Sequence, residues 1–141
     1  MAILNYTTKI DPFKTCSEIQ ICLAKHGANQ ILTEIDNGLL VGISFRCQIE
    51  SNFVSFRLPC NYEGVLNAMK KDRKVPNSLC TKEQALRVSW RILKDWIEAQ
   101  MAIIEAQLAT LPQVFLPYAI TKSGETLFER VSNDRNLLLL N

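Results

Sequence analysis

Apolar residues near the N-terminus recur every three or four positions, as Phe13, Cys16, Ile19 and Leu23. This spacing places one apolar stripe on an α-helix. Asp11 and Pro12 form a typical helix start, because the aspartate caps free N–H groups and proline fits the first turn. Gly27 is a typical helix stop. We therefore predict a first helix over about 12–26.

The next stretch alternates with the period of two that is typical of β-strands. Residues 30–35 form a first predicted strand, and the Asp-Asn-Gly sequence at 36–38 is a hairpin turn signal. A second strand is predicted over 39–49 and a third over 53–58. One face of the second strand is predicted to carry Val41, Ile43, Phe45, Cys47 and Ile49.

A turn at Ser51-Asn52 would sort the second hairpin into an apolar face and a polar face. The apolar face would hold Phe45, Cys47, Ile49, Val54, Phe56 and Leu58. The polar face would hold Ser44, Arg46, Gln48, Phe53, Ser55 and Arg57. In this register Glu50 pairs with Phe53, and Arg46 lies directly opposite Arg57.

A short helix is predicted at 62–71, capped by Asn61, and the basic segment 70–78 is predicted as a loop. From Thr81 onward neither proline nor glycine occurs before Pro112, and Thr81 with Gln84 matches a capping box. The pattern predicts one helix of about 30 residues, roughly 45 Å long.

This long helix carries two apolar stripes, whereas an ordinary surface helix carries one. The first stripe is Leu86, Trp90, Leu93, Ile97, Met101, Ile104 and Leu108. The second is Val88, Ile92, Trp96, Ala99 and Ile103. Since the meander covers only one stripe, we predict homo-oligomerisation through Val88, Ile92, Trp96 and Ile103. Alternatively, the first helix and the C-terminal segment cover the second stripe within one chain.

The fold class predicted by these elements is α+β. An antiparallel β-meander packs against a long C-terminal helix and a shorter N-terminal helix. Residues 1–131 are predicted to form a single domain, in which 115–131 adds a hairpin around Ser123-Gly124 or a helical turn. Residues 132–141 are predicted to be a loose tail.

Composition narrows the classes of protein that fit. The chain has 141 residues, of which 48% are hydrophobic and 21% charged, and its net charge of +2 is too small to indicate nucleic-acid binding by itself. With no apolar run of membrane-spanning length and no signal peptide, we expect a soluble protein in the cytoplasm. The five cysteines show no metal-binding spacing and His26 is the only histidine, so free thiols and no metal are expected.

Motifs of common enzyme classes are absent: there is no GxGxxG, Walker loop, GxSxG or HExxH. His26 falls in the last turn of the first helix, where it suits the helix dipole, and no orienting group is evident for a Cys–His nucleophile. We therefore predict a protein that is not an enzyme, with no catalytic residue and no cofactor.

Two arginines directly opposed on a sheet face are destabilising unless a negative group compensates. A carboxylate such as Glu50, or one from another subunit, would do so. The functional alternative is an anionic, nucleotide-like ligand held by Arg46, Gln48, Phe53, Ser55 and Arg57.

Arg87 and Arg91 on the long helix are further candidates for this ligand site. Their alternative role is in i,i+4 ion pairs with Glu83 and Asp95 on a solvated face.

Much of the chain resembles a family of small uncharacterised proteins encoded in bacteriophages and other bacterial mobile elements. The resemblance rests on RLPCNYEGVLNAM, RVSWRILKDWIEAQMAIIEA, VFLPYAI and GETLFERV. It implies a shared fold and a location in the cytoplasm of a bacterial host, but it supplies no biochemical role. By analogy of size and context, some small phage proteins sequester cyclic nucleotide or ADP-ribose-type immune signals at subunit interfaces.

The leading hypothesis is therefore a non-enzymatic, oligomeric protein that sequesters a small anionic nucleotide-like ligand as an anti-defence function. A nucleic-acid-binding accessory protein of a mobile element is one alternative, and a structural protein-interaction module is another.

Overall fold

The computed structural model describes residues 3–134. Within them the chain is α+β, with five α-helices and one three-stranded antiparallel sheet. In chain order the elements are α1 (Pro12–Lys25), β1 (Ala28–Asp36), β2 (Leu39–Ile49), β3 (Asn52–Arg57), α2 (Tyr62–Lys71), α3 (Lys82–Glu105), α4 (Leu111–Phe115) and α5 (Leu127–Asn133). Short 3₁₀ turns occur at Asn77–Leu79 and Leu116–Tyr118.

In the N-terminal half, α1, β2 and α2 begin where the sequence predicts, whereas β1 begins two residues earlier and β3 one residue earlier. The Asp11 carboxylate accepts a hydrogen bond from the Phe13 N–H and starts α1, and the Asn61 side chain does the same for α2 through the Gly64 N–H. The turn from β1 to β2 uses Asn37 and Gly38, both with positive φ. These local signals therefore predict the element boundaries closely.

The β2–β3 register differs from the predicted one. Arg46 pairs with Ser55 and Arg57 pairs with Ser44, so the two arginines are diagonal neighbours and not directly opposed. The turn lies at Glu50-Ser51, where Glu50 adopts a left-handed φ of 56°. The shift moves each partner by two residues, so the two faces of the hairpin keep their predicted side chains.

The inner face of the sheet packs on α1 and α3. Phe45, Cys47, Phe56 and Leu58 share one core with Trp90, Leu93 and Ile97 of α3 and with Cys16, Ile19 and Leu23 of α1. The indole N–H of Trp90 donates to the Leu40 carbonyl at 3.1 Å. An extra residue in β2 near Val41 breaks the alternation, so Leu40 is buried beside Ile43 whereas Val41 is only half-buried.

The long helix α3 is shorter than predicted and has 24 residues. Gln107 takes a left-handed φ of 61°, its N–H donates to the Ile104 carbonyl, and the Leu108 N–H donates to Ile103. This is a Schellman motif, which ends a helix without requiring glycine in the sequence. Thr81 caps the other end, but the Gln84 side chain bonds the Tyr6 and Thr8 carbonyls instead of completing a capping box.

The second stripe of α3 is covered in part by the chain itself. Val88 is fully buried in a smaller core with Met69 of α2, Val75 and Ala85. Trp96 makes edge-on contacts with Phe115 and Tyr118 from the segment after α3. The within-chain alternative is therefore realised for Val88, which α2 and not α1 covers, and in part for Trp96, which the C-terminal segment contacts.

The segment after α3 is neither a plain hairpin nor a single helix. Ala119 bridges to Phe56, the Ile120 N–H donates to the Ser55 carbonyl at 2.8 Å, and Ile120 bridges to Thr126. Helix α5 then continues to Asn133, two residues beyond the predicted domain boundary. The rest of the predicted tail, 135–141, lies outside the described residues. Within the described part, no helix is long and apolar enough to cross a membrane.

Candidate functional site

The outer face of the sheet forms an open groove of about 460 Å³. Side chains that alternate with the buried core residues point to this face, since successive residues of a strand face opposite ways. The groove is lined from all three strands and from the segment that follows α4, by Gln30, Ile31, Leu32, Glu34, Ser44, Phe45, Arg46, Ser55, Arg57 and Ile120.

Arg46 lies in the middle of this face. Its Nε donates to Asn29 Oδ1 at 3.1 Å, and its guanidinium carbon lies 4.4 Å from the centroid of the Phe53 ring. A guanidinium over an aromatic face is held by a cation–π interaction. Among residues 3–134, its two terminal nitrogens make no hydrogen bond or ion pair, so these donors remain for a ligand.

Arg57 is anchored from the C-terminal segment. One terminal nitrogen donates to the Gly124 carbonyl at 3.2 Å, and the other lies 3.8 Å from the Glu129 carboxylate. The pKa of Glu129 is lowered, chiefly because the Thr126 N–H donates to its carboxylate, with a smaller contribution from Arg57. A carboxylate therefore does approach one arginine, but it comes from α5 and not from Glu50.

The remaining predicted ligand residues share the face but differ in position. Ser55 is directly opposite Arg46 and lines the groove. Gln48 is exposed and donates to the Glu50 carbonyl at 3.3 Å, away from the groove lining. Phe53 is opposite Gln48 and 55% exposed.

Sequence reasoning missed the contribution of β1 to the groove. Gln30, Leu32 and Glu34 alternate along β1 and pair with Arg46, Ser44 and Gly42 of β2. Their alternation along the strand, combined with the predicted β1–β2 hairpin, could have placed them on the same face as Arg46. Ile120 gave no comparable signal, because only the tertiary fold brings it beside β3.

Arg87 and Arg91 do not join this site, because α3 packs against the opposite face of the sheet. Arg91 donates to Glu18 at 2.6 Å and to the Thr15 hydroxyl at 3.3 Å, which ties α3 to α1. Arg87 donates to Gln84. Including them in the same ligand site as Arg46 was wrong, and the predicted i,i+4 partner of Arg91 was also wrong.

The predicted interface residues on α3 have unequal exposure. Val88 is fully buried, whereas Ile103 is half-buried. Ile92 and Trp96 line a groove of about 340 Å³ together with Tyr118. The second stripe therefore presents a narrow apolar groove and not a continuous face.

The structure supplies an orienting group for His26 that the sequence did not suggest. Glu105 Oε1 lies 2.5 Å from His26 Nε2, and His26 Nδ1 lies 2.7 Å from the Cys22 carbonyl. The Cys22 thiol is 4.0 Å from Nδ1, and its pKa is raised by burial and by nearby glutamates. This arrangement disfavours the thiolate that a nucleophile needs.

The five cysteines are free thiols, as predicted. Cys16 and Cys47 are buried in the main core, and burial raises the pKa of Cys60 to about 12. In the described part of the chain, no three His, Cys, Asp or Glu side chains are grouped to hold a metal ion.

Comparison with protein-family models, with curated proteins and with solved structures finds no match for this chain.

Proposed function

We propose that the outer face of the sheet binds a small anionic, nucleotide-like ligand, and that the protein acts by sequestering it without chemical conversion. The observation that carries this proposal is the position of Arg46 and Arg57. They project from diagonal positions of paired strands into one groove, and the terminal nitrogens of Arg46 have no partner in the described chain.

The chemistry of the groove fits a phosphate that bears a flat ring. Guanidinium groups bind phosphate oxygens through charge-assisted hydrogen bonds, often in pairs. The Ser55 hydroxyl and the Gln30 amide add neutral donors along the same groove. Phe53 and Leu32 are exposed on this face and offer apolar surface to a base.

Sequestration in a bacterial host, as an anti-defence function encoded by a phage or mobile element, extends this proposal. Its support is the sequence resemblance described above and the binding groove. In such a role a stoichiometric binder needs affinity and abundance and no catalytic group. Cyclic nucleotides and ADP-ribose are the ligand class that matches both the charge and the ring.

The test is calorimetric titration of the purified protein with cyclic AMP, cyclic di-AMP and ADP-ribose. Native mass spectrometry of the protein as purified from bacteria would detect a ligand retained from the cell. We expect Arg46→Ala to weaken binding at least about tenfold, since it removes a charge-assisted contact. Arg73→Ala is the matched control, because it removes the same charge from an exposed loop.

The outcomes separate the functional classes. Loss of binding in Arg46→Ala and not in Arg73→Ala supports ligand binding in the outer-face groove. Equal weakening in both variants, with affinity for any single-stranded oligonucleotide that falls steeply with salt, would favour a nucleic-acid-binding protein. If neither calorimetry nor native mass spectrometry detects a ligand, the proposal is overturned, and a protein-interaction module is the function that remains.

A further inference from the structure

Strand β1 forms an open edge of the sheet. The strand order is β1-β2-β3, and the described residues place no strand beyond β1. The opposite edge is closed in part, because the Ile120 N–H donates to the Ser55 carbonyl. Along β1, the backbone N–H and C=O groups of every second residue point away from β2. They have no hydrogen-bond partner outside the sheet among residues 3–134.

This edge carries little of the usual protection over its central part. Natural edge strands are commonly kept short or bulged, or carry charged residues, especially lysine, or proline, which discourage pairing with another chain. Strand β1 has nine residues and no lysine, arginine or proline, and its two charged residues, Glu34 and Asp36, lie toward its end. Leu32 and Ile35 are 63% and 58% exposed on it. Such an edge is suited to pairing with another strand.

The regular part of β1 is centred on Leu32. An extra residue at Asn29 interrupts the pairing with β2 at one end, and the irregularity next to Glu34 interrupts it at the other. Between them, residues 30–34 keep an unbroken register with β2. Regular pairing with a further strand is therefore most favourable across 30–34, because bulges bend and twist a strand.

We propose that a second copy of this chain pairs with this edge, antiparallel, with the two-fold axis passing beside Leu32. In this register each Leu32 faces the same residue of the second copy, and Gln30 faces Glu34. The leucine pair buries apolar surface, and the amide of Gln30 can donate to the carboxylate of Glu34. Moving the axis to residue 33 would place Glu34 opposite Leu32 and lose both pairs.

The dimer would join the two sheets into one of six strands. Gln30, Leu32 and Glu34 already line the groove on the outer face. The β1 strand of the second copy would therefore border the groove on its open side, and two grooves would lie side by side across the axis. The dimer and the ligand site are separate proposals. Self-association and ligand binding are measured in different experiments, so either proposal can fail without the other.

The first test is sedimentation velocity over a range of protein concentrations. We expect the wild type to associate to a dimer. Leu32→Lys should weaken association at least about tenfold, because it places two ammonium groups opposite each other. Leu108→Lys is the matched control, since Leu108 is 78% exposed, follows α3 and lies outside the sheet and its groove. Circular dichroism checks that both variants fold.

The second test addresses the register. Directly opposed residues of antiparallel strands bring their Cβ atoms within reach of a disulfide. Leu32→Cys should therefore cross-link into a dimer under mild oxidation, whereas Leu108→Cys and the wild type, with its native thiols, should not. A wild type that stays monomeric at all concentrations would overturn the proposal. A dimer that survives Leu32→Lys would also overturn it.

Discussion

At the scale of single residues, His26 connects the ends of two helices. It follows α1, its Nδ1–H donates to the Cys22 carbonyl, and its Nε2 contacts Glu105 in the last turn of α3. Both contacts favour the protonated ring. The pKa of His26 is raised, first by the bond to Cys22 and then by Glu105, against opposing effects of burial and Lys25.

The raised pKa predicts a pH-dependent stability. Because the folded chain binds the proton more tightly than the unfolded chain, the stabilisation is complete below the unfolded pKa of about 6.5. It is lost as the pH rises through the folded-state value. Urea unfolding of the wild type at a series of pH values should show this loss, and His26→Gln should abolish it.

Glu105→Gln separates the two contacts of His26. It should reduce the pH dependence without removing it, because the bond to the Cys22 carbonyl remains. Glu98→Gln is the control, since Glu98 pairs with Lys94. Identical pH profiles in the wild type and in Glu105→Gln would show that this carboxylate does not act on His26.

Arg91 is expected to be a structural residue. Removing it leaves the Glu18 carboxylate with only Lys94 at 3.9 Å, and it removes a partner of the buried Thr15 hydroxyl. Arg91→Ala should lower the free energy of unfolding by about 1–3 kcal/mol, measured by urea denaturation, and leave ligand binding unchanged. Weakened ligand binding in a stable Arg91→Ala variant would show that Arg91 contributes to the ligand site.

The residue pairing between β2 and β3 marks a limit of prediction from sequence. Alternation determines which face each side chain occupies, and those faces were predicted. It does not separate registers that differ by two residues, since both keep the same faces. The choice depends on the turn, where Glu50 takes a left-handed conformation that its residue type rarely adopts.

At the scale of elements, the helix starts were predicted well, and the largest error among the predicted helices lies at the end of α3. Helix starts at Asp11, Asn61 and Thr81 carry side chains that cap N–H groups, which is a local and readable signal. The end of α3 has no such marker. Its left-handed residue is Gln107, and the apolar periodicity continues past it to Leu108, so the predicted helix was too long.

The end of α3 gives a stability prediction. A left-handed conformation costs an L-residue roughly 1–2 kcal/mol relative to glycine, and the greater freedom of unfolded glycine offsets part of this. We expect Gln107→Gly to raise the free energy of unfolding by about 0.5–1 kcal/mol in thermal denaturation. Gln100→Gly, inside α3, should lower it by about 1 kcal/mol. A loss of stability in Gln107→Gly would contradict this explanation of the helix end.

At the scale of the whole molecule, the main core is completed by a residue far along the chain. Phe115 is fully buried and contacts the rings of Phe45, Phe56 and Trp96. The sequence pattern assigned Phe115 to a hairpin or a helical turn and did not predict its contacts with Phe45 and Phe56. Only its contact with Trp96 fits the alternative in which the C-terminal segment covers the second stripe of the long helix. Contacts between segments so distant in sequence are not encoded in local periodicity.

This arrangement predicts the order of folding. The strand hairpins are local, whereas Phe115 must join from a distant segment, and distant contacts tend to form late. Phe115→Leu should therefore speed unfolding about tenfold and leave the folding rate nearly unchanged in stopped-flow experiments. Ile43→Val, in the centre of β2, is the comparison and should slow folding. A slowed folding rate in Phe115→Leu would place Phe115 in the folding nucleus.

The late position of Phe115 also matters while the protein is being synthesised. The N-terminus leaves the ribosome first, so α1, the β-meander and α3 emerge before the segment that contains Phe115. Until then, the stacked rings of Phe45 and Phe56 lack the ring of Phe115 as a neighbour and remain accessible to other apolar surfaces. Nascent chains at this stage are expected to be the ones that chaperones bind, and a pause in translation before Phe115 would prolong that exposure.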